Sequence, residues 1–210
     1  MSDVNAAEMS TSVWSGGASP YAVDSKKFGM WLFIISDALT FSALLIAYTY
    51  VRLSTPVWPT PFHFFPSIVF SSVMTFCLLS SSLTMVMAVH TMSHNNRKAT
   101  VGWLLATMAG GLGFVILHAM EWRNLIVHEH MTPFGNEWGE PLFGGTFFAL
   151  TGLHMTHVVL GLIYLGIITF AVGRGKFKAI DVEVSGLYWH FVDLVWMFIF
   201  PMVYLLSAKL

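Results

Sequence analysis

The sequence predicts an all-α membrane protein with five transmembrane helices, and three observations predict it. First, 56% of the 210 residues are hydrophobic and only 10% are charged, where a soluble domain carries about 25% charged residues; the mean hydropathy is +0.69. Second, the apolar residues form five runs, about 28–51, 66–91, 100–127, 142–172 and 184–207. Each is long enough, at about 1.5 Å per residue, to cross a hydrocarbon core of about 30 Å. Only helices can do so here, because a backbone in lipid must satisfy its own hydrogen bonds and no strand-like alternation with turn spacing competes. Third, the basic residues alternate between connecting segments. Lys26, Lys27, Arg97, Lys98, Arg174, Lys176 and Lys178 fall on one side of such a bundle, and Arg52, Arg123 and Lys209 on the other. This bias puts the amino terminus inside and the carboxyl terminus outside. Five spans require the same opposition of termini, and Glu129, Glu137 and Glu140 gather in the outer third connection.

Composition also limits function. A net charge of −1 offers nothing to hold nucleic acid. The single cysteine, Cys77, lies in an apolar run, which excludes an internal disulfide, a Cys-x-x-Cys metal site and a covalent haem attachment motif. Residues 1–25 are polar and small, with Asp3, Glu8 and Asp24. They lack the basic region and apolar core of a signal peptide, so they read as a retained cytoplasmic tail ahead of a five-helix domain over 26–210. Trp14 and Tyr21 are unusual in a free tail and suggest that a partner orders its end.

The first run holds Asp37, about ten residues from its inner end and roughly 15 Å deep. A carboxylate there is either a proton-exchanging or lipid-facing group, or an acid hydrogen-bonded to a neighbouring helix. The first connection, with Pro56, Pro59, Pro61 and Trp58, should lie extended at the outer interface with Trp58 in the aromatic belt. The second run carries Ser71, Ser72, Thr75, Ser80, Ser81, Ser82 and Thr84, small hydroxyl residues that let helices approach and cross-link. Met74, Met85 and Met87 are packing residues, and His90 and His94 belong to the solvated inner end. In the third run Gly102, Gly110, Gly111 and Gly113 suit close contact with a neighbour. The run ends with His118 and Glu121 three apart on one face, spaced for a local ion pair or hydrogen bond. The His128-Glu129-His130 triplet beyond it has metal-binding residue types but no further fixed ligands around it.

The fourth run places His154 and His157 near mid-membrane. Two such histidines invite a haem b site, which needs axial histidines on facing helices at matched depth. His190 could face them, but the fifth run offers only that one histidine. The fifth run opens with Tyr188-Trp189-His190-Phe191-Val192-Asp193-Leu194-Val195-Trp196, the stretch around which the chain is organised. A charged group at this depth costs about 2.5–3.5 kcal/mol on insertion scales, so it is rarely idle. His190 and Asp193, three apart, form a polar stripe suited to another helix, a lipid head group or a proton path. A plain helix-to-helix hydrogen bond accounts for it equally. Leu194, Val195 and Phe198 face other surroundings.

These residues carry a resemblance. Gly145-Thr146-Phe147-Phe148, Thr151-Gly152-Leu153-His154, His157-Val158 and Gly161 resemble the signature of a core helix of subunit III of the haem-copper oxidases. Tyr188 to Trp196, with Glu183 seven residues before His190, resembles the last helix of that family. Trp31-Leu32-Phe33 with Ser36-Asp37 is similar to its first shared helix, and Glu121-Trp122 to the end of its middle helix. The resemblance covers about residues 26–207 and identifies the chain as a member of the cytochrome c oxidase subunit III family, in a five-helix bacterial form. The mitochondrial form has seven helices, and this chain lacks the first two. The family also usually has glutamate where Asp37 stands, so a contact that depends on the longer side chain is in question here.

The resemblance implies a non-catalytic subunit of the bacterial inner membrane, with a cytoplasmic amino terminus and a periplasmic carboxyl terminus. It implies that the chain binds no haem or copper, which sit in partner subunits I and II. It further implies that the chain packs beside subunit I, holds phospholipid, supports proton uptake, and can join a larger respiratory supercomplex. Asp37 is carried over as the buried carboxylate position, and Glu121, His154, His157, Glu183, His190 and Asp193 as motif positions for lipid or subunit contact. Subunit III of a quinol oxidase and the homologue associated with nitric oxide reductase share these signatures. A stand-alone transporter would show internal repeats with broken helices, and none is evident.

Overall fold

The computed structural model describes residues 24–135, 137 and 140–209. The polar tail up to residue 23, with Trp14 and Tyr21, lies outside the described residues. Five helices are long and apolar enough to cross a membrane: α1 (Ser25–Ser54), α2 (Val69–Ser93), α3 (Arg97–Val127), α4 (Pro141–Gly173) and α5 (Ala179–Ile199), the last continued by a π turn (Phe200–Tyr204) and a 3-10 turn (Leu205–Ser207).

Local chemistry sets where each helix begins. The Asp24 carboxylate accepts the Lys26 N–H at 2.9 Å and caps α1. Asn96 caps α3 by accepting the Ala99 N–H at 3.2 Å. The α-helix α2 begins at Val69, three residues later than the apolar run suggests. The reason is Pro66: its ring disfavours helical geometry at the preceding residue, and Phe65 is extended, with φ −121° and ψ 129°. In contrast, α5 begins at Ala179, five residues earlier than expected. The Lys178 N–H donates to Asp181 Oδ2 at 2.9 Å, so a carboxylate in the first turn satisfies a backbone donor and offsets the helix dipole. Hydropathy alone hides this turn because Asp181 and Glu183 are charged.

Helix α5 is the centre of the bundle: half of its most apolar window is buried, against 17% for α1. It packs on α1, α2 and α4; α3 joins α2 to α4, and α1 lies against the α4–α5 edge. The α2–α3 hairpin turns through Asn95, which adopts φ 59°. Thr84 and Thr107 are 2.8 Å apart across it, and Thr91 and Thr100 are 3.0 Å apart. A Cβ on Gly110 would meet Ser81 Cβ at 2.8 Å, so the two backbones nearly touch there. The expectation for the four glycines of α3 is corrected at two of them. Nothing lies within 4 Å of the Cβ position at Gly102 or Gly113, and those glycines serve no close contact in this chain. Met74 and Met85 are buried as expected, while Met87 faces outward.

Both ends of the bundle are fastened. On the basic side Lys26 Nζ lies 2.6 Å from Asp181 Oδ1, and Lys27 pairs with Glu183, tying the start of α1 to the start of α5. On the opposite side two short parallel strands, β1 (Phe62–His63) and β2 (Ala208–Lys209), pair Phe62 with Ala208. They dock the first connection under the end of the chain. Trp58 is half-buried there. Its Nε1 donates to Ser207 Oγ at 3.0 Å, and its ring meets Tyr48 edge to face at 5.5 Å. Tyr48 OH is itself 3.0 Å from Ser207 Oγ, so the one serine hydroxyl collects both aromatic polar groups.

Candidate functional site

The two tryptophans of the α5 stretch build the interior. Trp189 is buried, and its Nε1 donates to Ser81 Oγ of α2 at 3.0 Å. Trp196 is also buried and donates to Thr75 Oγ1 of α2 at 2.9 Å. The hydroxyl-rich face of α2 thus receives the indole N–H groups, as buried Trp requires. Trp196 then places two histidines. The His154 ring of α4 stacks on it at 4.9 Å and 28°, and the His118 ring of α3 meets it edge-on at 5.5 Å and 86°. Phe114 lies parallel to His118 at 5.6 Å and perpendicular to His154 at 5.6 Å.

One turn from His118, the Glu121 carboxylate is buried and well served. Its Oε1 accepts from Ser71 Oγ at 2.7 Å and its Oε2 from Tyr204 OH at 2.7 Å. His118 Nδ1 is 3.3 Å from the same Oε2 but poorly directed, so the expected i,i+3 contact is the minor one. Glu121 instead joins α2, α3 and the π turn after α5. Ser71 was visible only as one hydroxyl among many in α2, and Tyr204 was not visible as a partner at all. The signal for Tyr204 is that a phenol in a spanning segment must find an acceptor.

On the other flank, His157 of α4 faces Asp37 of α1. His157 Nε2 lies 3.2 Å from Asp37 Oδ2, and both side chains are about nine-tenths buried, at 13% and 12% exposure. His157 Nδ1 is 2.8 Å from the Leu153 carbonyl. A carbonyl can only accept, so Nδ1 carries a hydrogen. The Nε2–carboxyl contact is close but not well directed, since Asp37 Oδ2 has no hydrogen-bond partner of good geometry among the described residues. Aspartate, although one methylene shorter than glutamate, reaches this histidine. Tyr188 OH closes the same corner by donating to the His157 carbonyl at 3.0 Å.

The remaining predicted positions lie apart from this interior. His190 Nδ1 is 3.2 Å from Ser82 Oγ, and His190 lines an open groove with His90, Ser93 and Glu183. It does not face His154, whose ring meets Phe41, Phe114 and Trp196. Asp193 is buried beside His190, and Glu183 pairs with Lys27. Leu194 and Phe198 point outward, whereas Val195 is buried. Among the described residues, no group of three or more His, Cys, Asp or Glu side chains is placed to hold a metal ion.

This architecture is that of a multi-pass α-helical membrane protein with a polar interior. The family model described as cytochrome c oxidase subunit III matches residues 7–208. The chain is 32% identical over 188 residues to a cytochrome c oxidase subunit 3 of Alkalihalophilus pseudofirmus, covering 88% of each chain. It is 35% identical over 182 residues to a quinol oxidase subunit 3 of Bacillus spizizenii, covering 85% of this chain and 86% of that one. Against a cytochrome c oxidase subunit 3 of Madoqua guentheri it is 31% identical over 202 residues, covering 92% of this chain and 74% of the relative. The chain belongs to the cytochrome c oxidase subunit III family.

Proposed function

We propose that this chain is the non-catalytic subunit III of a bacterial haem-copper terminal oxidase, in the assembly that reduces oxygen to water and translocates protons. It stabilises subunit I, binds phospholipid and supports proton uptake, while haem and copper reside in subunits I and II. The carrying observation is the buried Asp37–His157 pair that joins α1 to α4 at 3.2 Å. It is a buried acid–imidazole contact between two helices, within a bundle whose polar groups otherwise bind one helix to the next. The bias of the basic residues supports a cytoplasmic amino terminus and a periplasmic carboxyl terminus in the inner membrane. The donor is cytochrome c or quinol; relatives of both kinds match to the same degree, at 32% and 35%, and subunit II decides between them. Association into a respiratory supercomplex fits the same role.

Gentle affinity purification of the chain tests this reading. The expected result is a stoichiometric haem-copper subunit I with its absorption bands. A lone five-helix protein, or one with its own haem band, would overturn it. Oxidase prepared without this chain should lose activity sooner over repeated turnovers and take up protons more slowly; unchanged durability and uptake would remove the supporting role.

The pair itself yields a second expected result. In Asp37→Asn the amide can still donate to His157 Nε2, so the subunit should stay in the complex. Proton uptake should slow, because an amide cannot exchange a proton as the carboxyl group can. Asp37→Leu, which removes the polar contact and strands the histidine nitrogen, should instead weaken retention in detergent. Stopped-flow proton uptake and subunit stoichiometry read the two effects separately. Uptake at the native rate in Asp37→Asn would take Asp37 out of the proton path.

A further inference from the structure

His154 and His118 are both fully buried, and neither ring nitrogen of either has a well-directed hydrogen-bond partner among the described residues. Buried polar side-chain atoms are nearly always paired, with protein or with ordered water. A neutral imidazole has one N–H to donate and one lone pair to fill, so two adjacent unpaired imidazoles ask for a partner that both donates and accepts. The aromatic contacts limit where it can sit. Trp196 covers the face of His154 at 4.9 Å, and Phe114 covers the face of His118 at 5.6 Å. Ring nitrogens direct their hydrogen bonds in the plane of the ring, not through its faces.

We infer that ordered water bridges His118 and His154, the two buried imidazoles that lie between Glu121 and the Asp37–His157 pair. Water is the ligand that suits the chemistry: small, neutral, and able to give and take hydrogen bonds with two to four partners. A metal ion is a poor match, since no three ligating side chains converge there among the described residues. Access is built in beside Glu121, which lines a cavity of about 290 Å³ with Ser67 and Asn124; a water occupies about 30 Å³ in the liquid. From that cavity the polar groups follow one another along the helices. His118 is one turn along α3 from Glu121, and His154 shares Trp196 and Phe114 with His118. His157 is one turn along α4 from His154, and Asp37 is its partner on α1. Water is thus the polar link between α3 and α4.

The test uses the chain purified from its own membrane with whatever subunits accompany it, so its outcome does not depend on the role proposed above. In a cryo-EM map that resolves ordered water elsewhere in the protein, density is expected within about 3 Å of a nitrogen of His154 and of His118. His154→Gln keeps a donor and an acceptor and should hold its fold in detergent for as long as the native chain. His154→Leu should shorten that lifetime about tenfold, because the water and His118 lose a partner. A His118→Leu/His154→Leu double variant should be no shorter-lived than His154→Leu, because nothing polar remains to satisfy. A dry, side-chain-filled site in the map, or His154→Leu lasting as long as the native chain, would overturn the inference. If the leucine variants do not accumulate, the maps of the native and His154→Gln proteins decide.

Discussion

Replacing Gly111 by alanine is expected to destabilise the bundle by about 2 kcal/mol, the middle of the range for a methyl forced into a packed core. The new Cβ would lie 2.5 Å from Trp189 Cη2 and 2.7 Å from its Cζ2, inside any contact an indole tolerates. The ring cannot give way. Its Nε1 is bound to Ser81 at 3.0 Å, and its other edge lies against Gly161, where a Cβ would meet Cζ3 at 3.0 Å. Trp189 of α5 thus touches α2, α3 and α4 at once, and the two glycines are the slots it enters. Thermal unfolding in detergent measures the loss. Gly102→Ala is the internal control, since nothing lies within 4 Å of its Cβ position. It should be neutral, or stabilising by up to about 1 kcal/mol through helix propensity. Gly161→Ala should cost less than Gly111→Ala, and Trp189→Phe should relieve part of the strain in a Gly111→Ala background. Equal stability of Gly111→Ala and Gly102→Ala would sink the argument.

Those two glycines also show what the sequence could and could not reveal. Both sit in the same apolar run, and nothing local distinguishes them; only the indole arriving from a helix some eighty residues later does. The five spans were legible because a backbone in lipid has no choice but to form helices, and their edges shifted by three to five residues where the caps Asp24 and Asn96, Pro66 and Asp181 imposed local chemistry. The stretch around Trp189 was recognisable as central because it mixes charge and indole in an apolar run. Its weight falls on Trp189 and Trp196, however, while His190 turns to Ser82 and a groove. The Asp37–His157 contact joins residues 120 positions apart, and hydropathy has no means of pairing them. The latch from Lys26 and Lys27 to Asp181 and Glu183 was closer to hand: two cations and two anions begin helices on the same side of the membrane. The Lys27–Glu183 pair is partly exposed on both sides and adds little stability, whereas Asp181 is buried beneath Lys26.

Glu121 carries the largest expected polar effect. In Glu121→Leu, Ser71 loses little, because its hydroxyl is also 3.0 Å from the Ser67 carbonyl and can turn to it. Tyr204 has no such retreat: it is fully buried, and its OH donates to Glu121 Oε2 at 2.7 Å. An orphaned buried phenol together with a lost charge-assisted bond should cost about 2–4 kcal/mol. Glu121→Gln should cost less than about 1 kcal/mol, since its carbonyl can accept from Tyr204 while its amide donates to Ser71 Oγ. Tyr204→Phe should lie between them, because it leaves the buried carboxylate with Ser71 alone. The decisive protein is the double variant Glu121→Leu/Tyr204→Phe. With both partners apolar, nothing buried is left unpaired, and stability should recover most of what Glu121→Leu loses. Thermal unfolding of the four proteins in one detergent gives the coupling directly. A double variant no more stable than Glu121→Leu would mean that the glutamate supports the bundle through its bulk or through His118. In that case the chain from Glu121 to Tyr204 would not be what fastens the π turn after α5 to the helices α2 and α3.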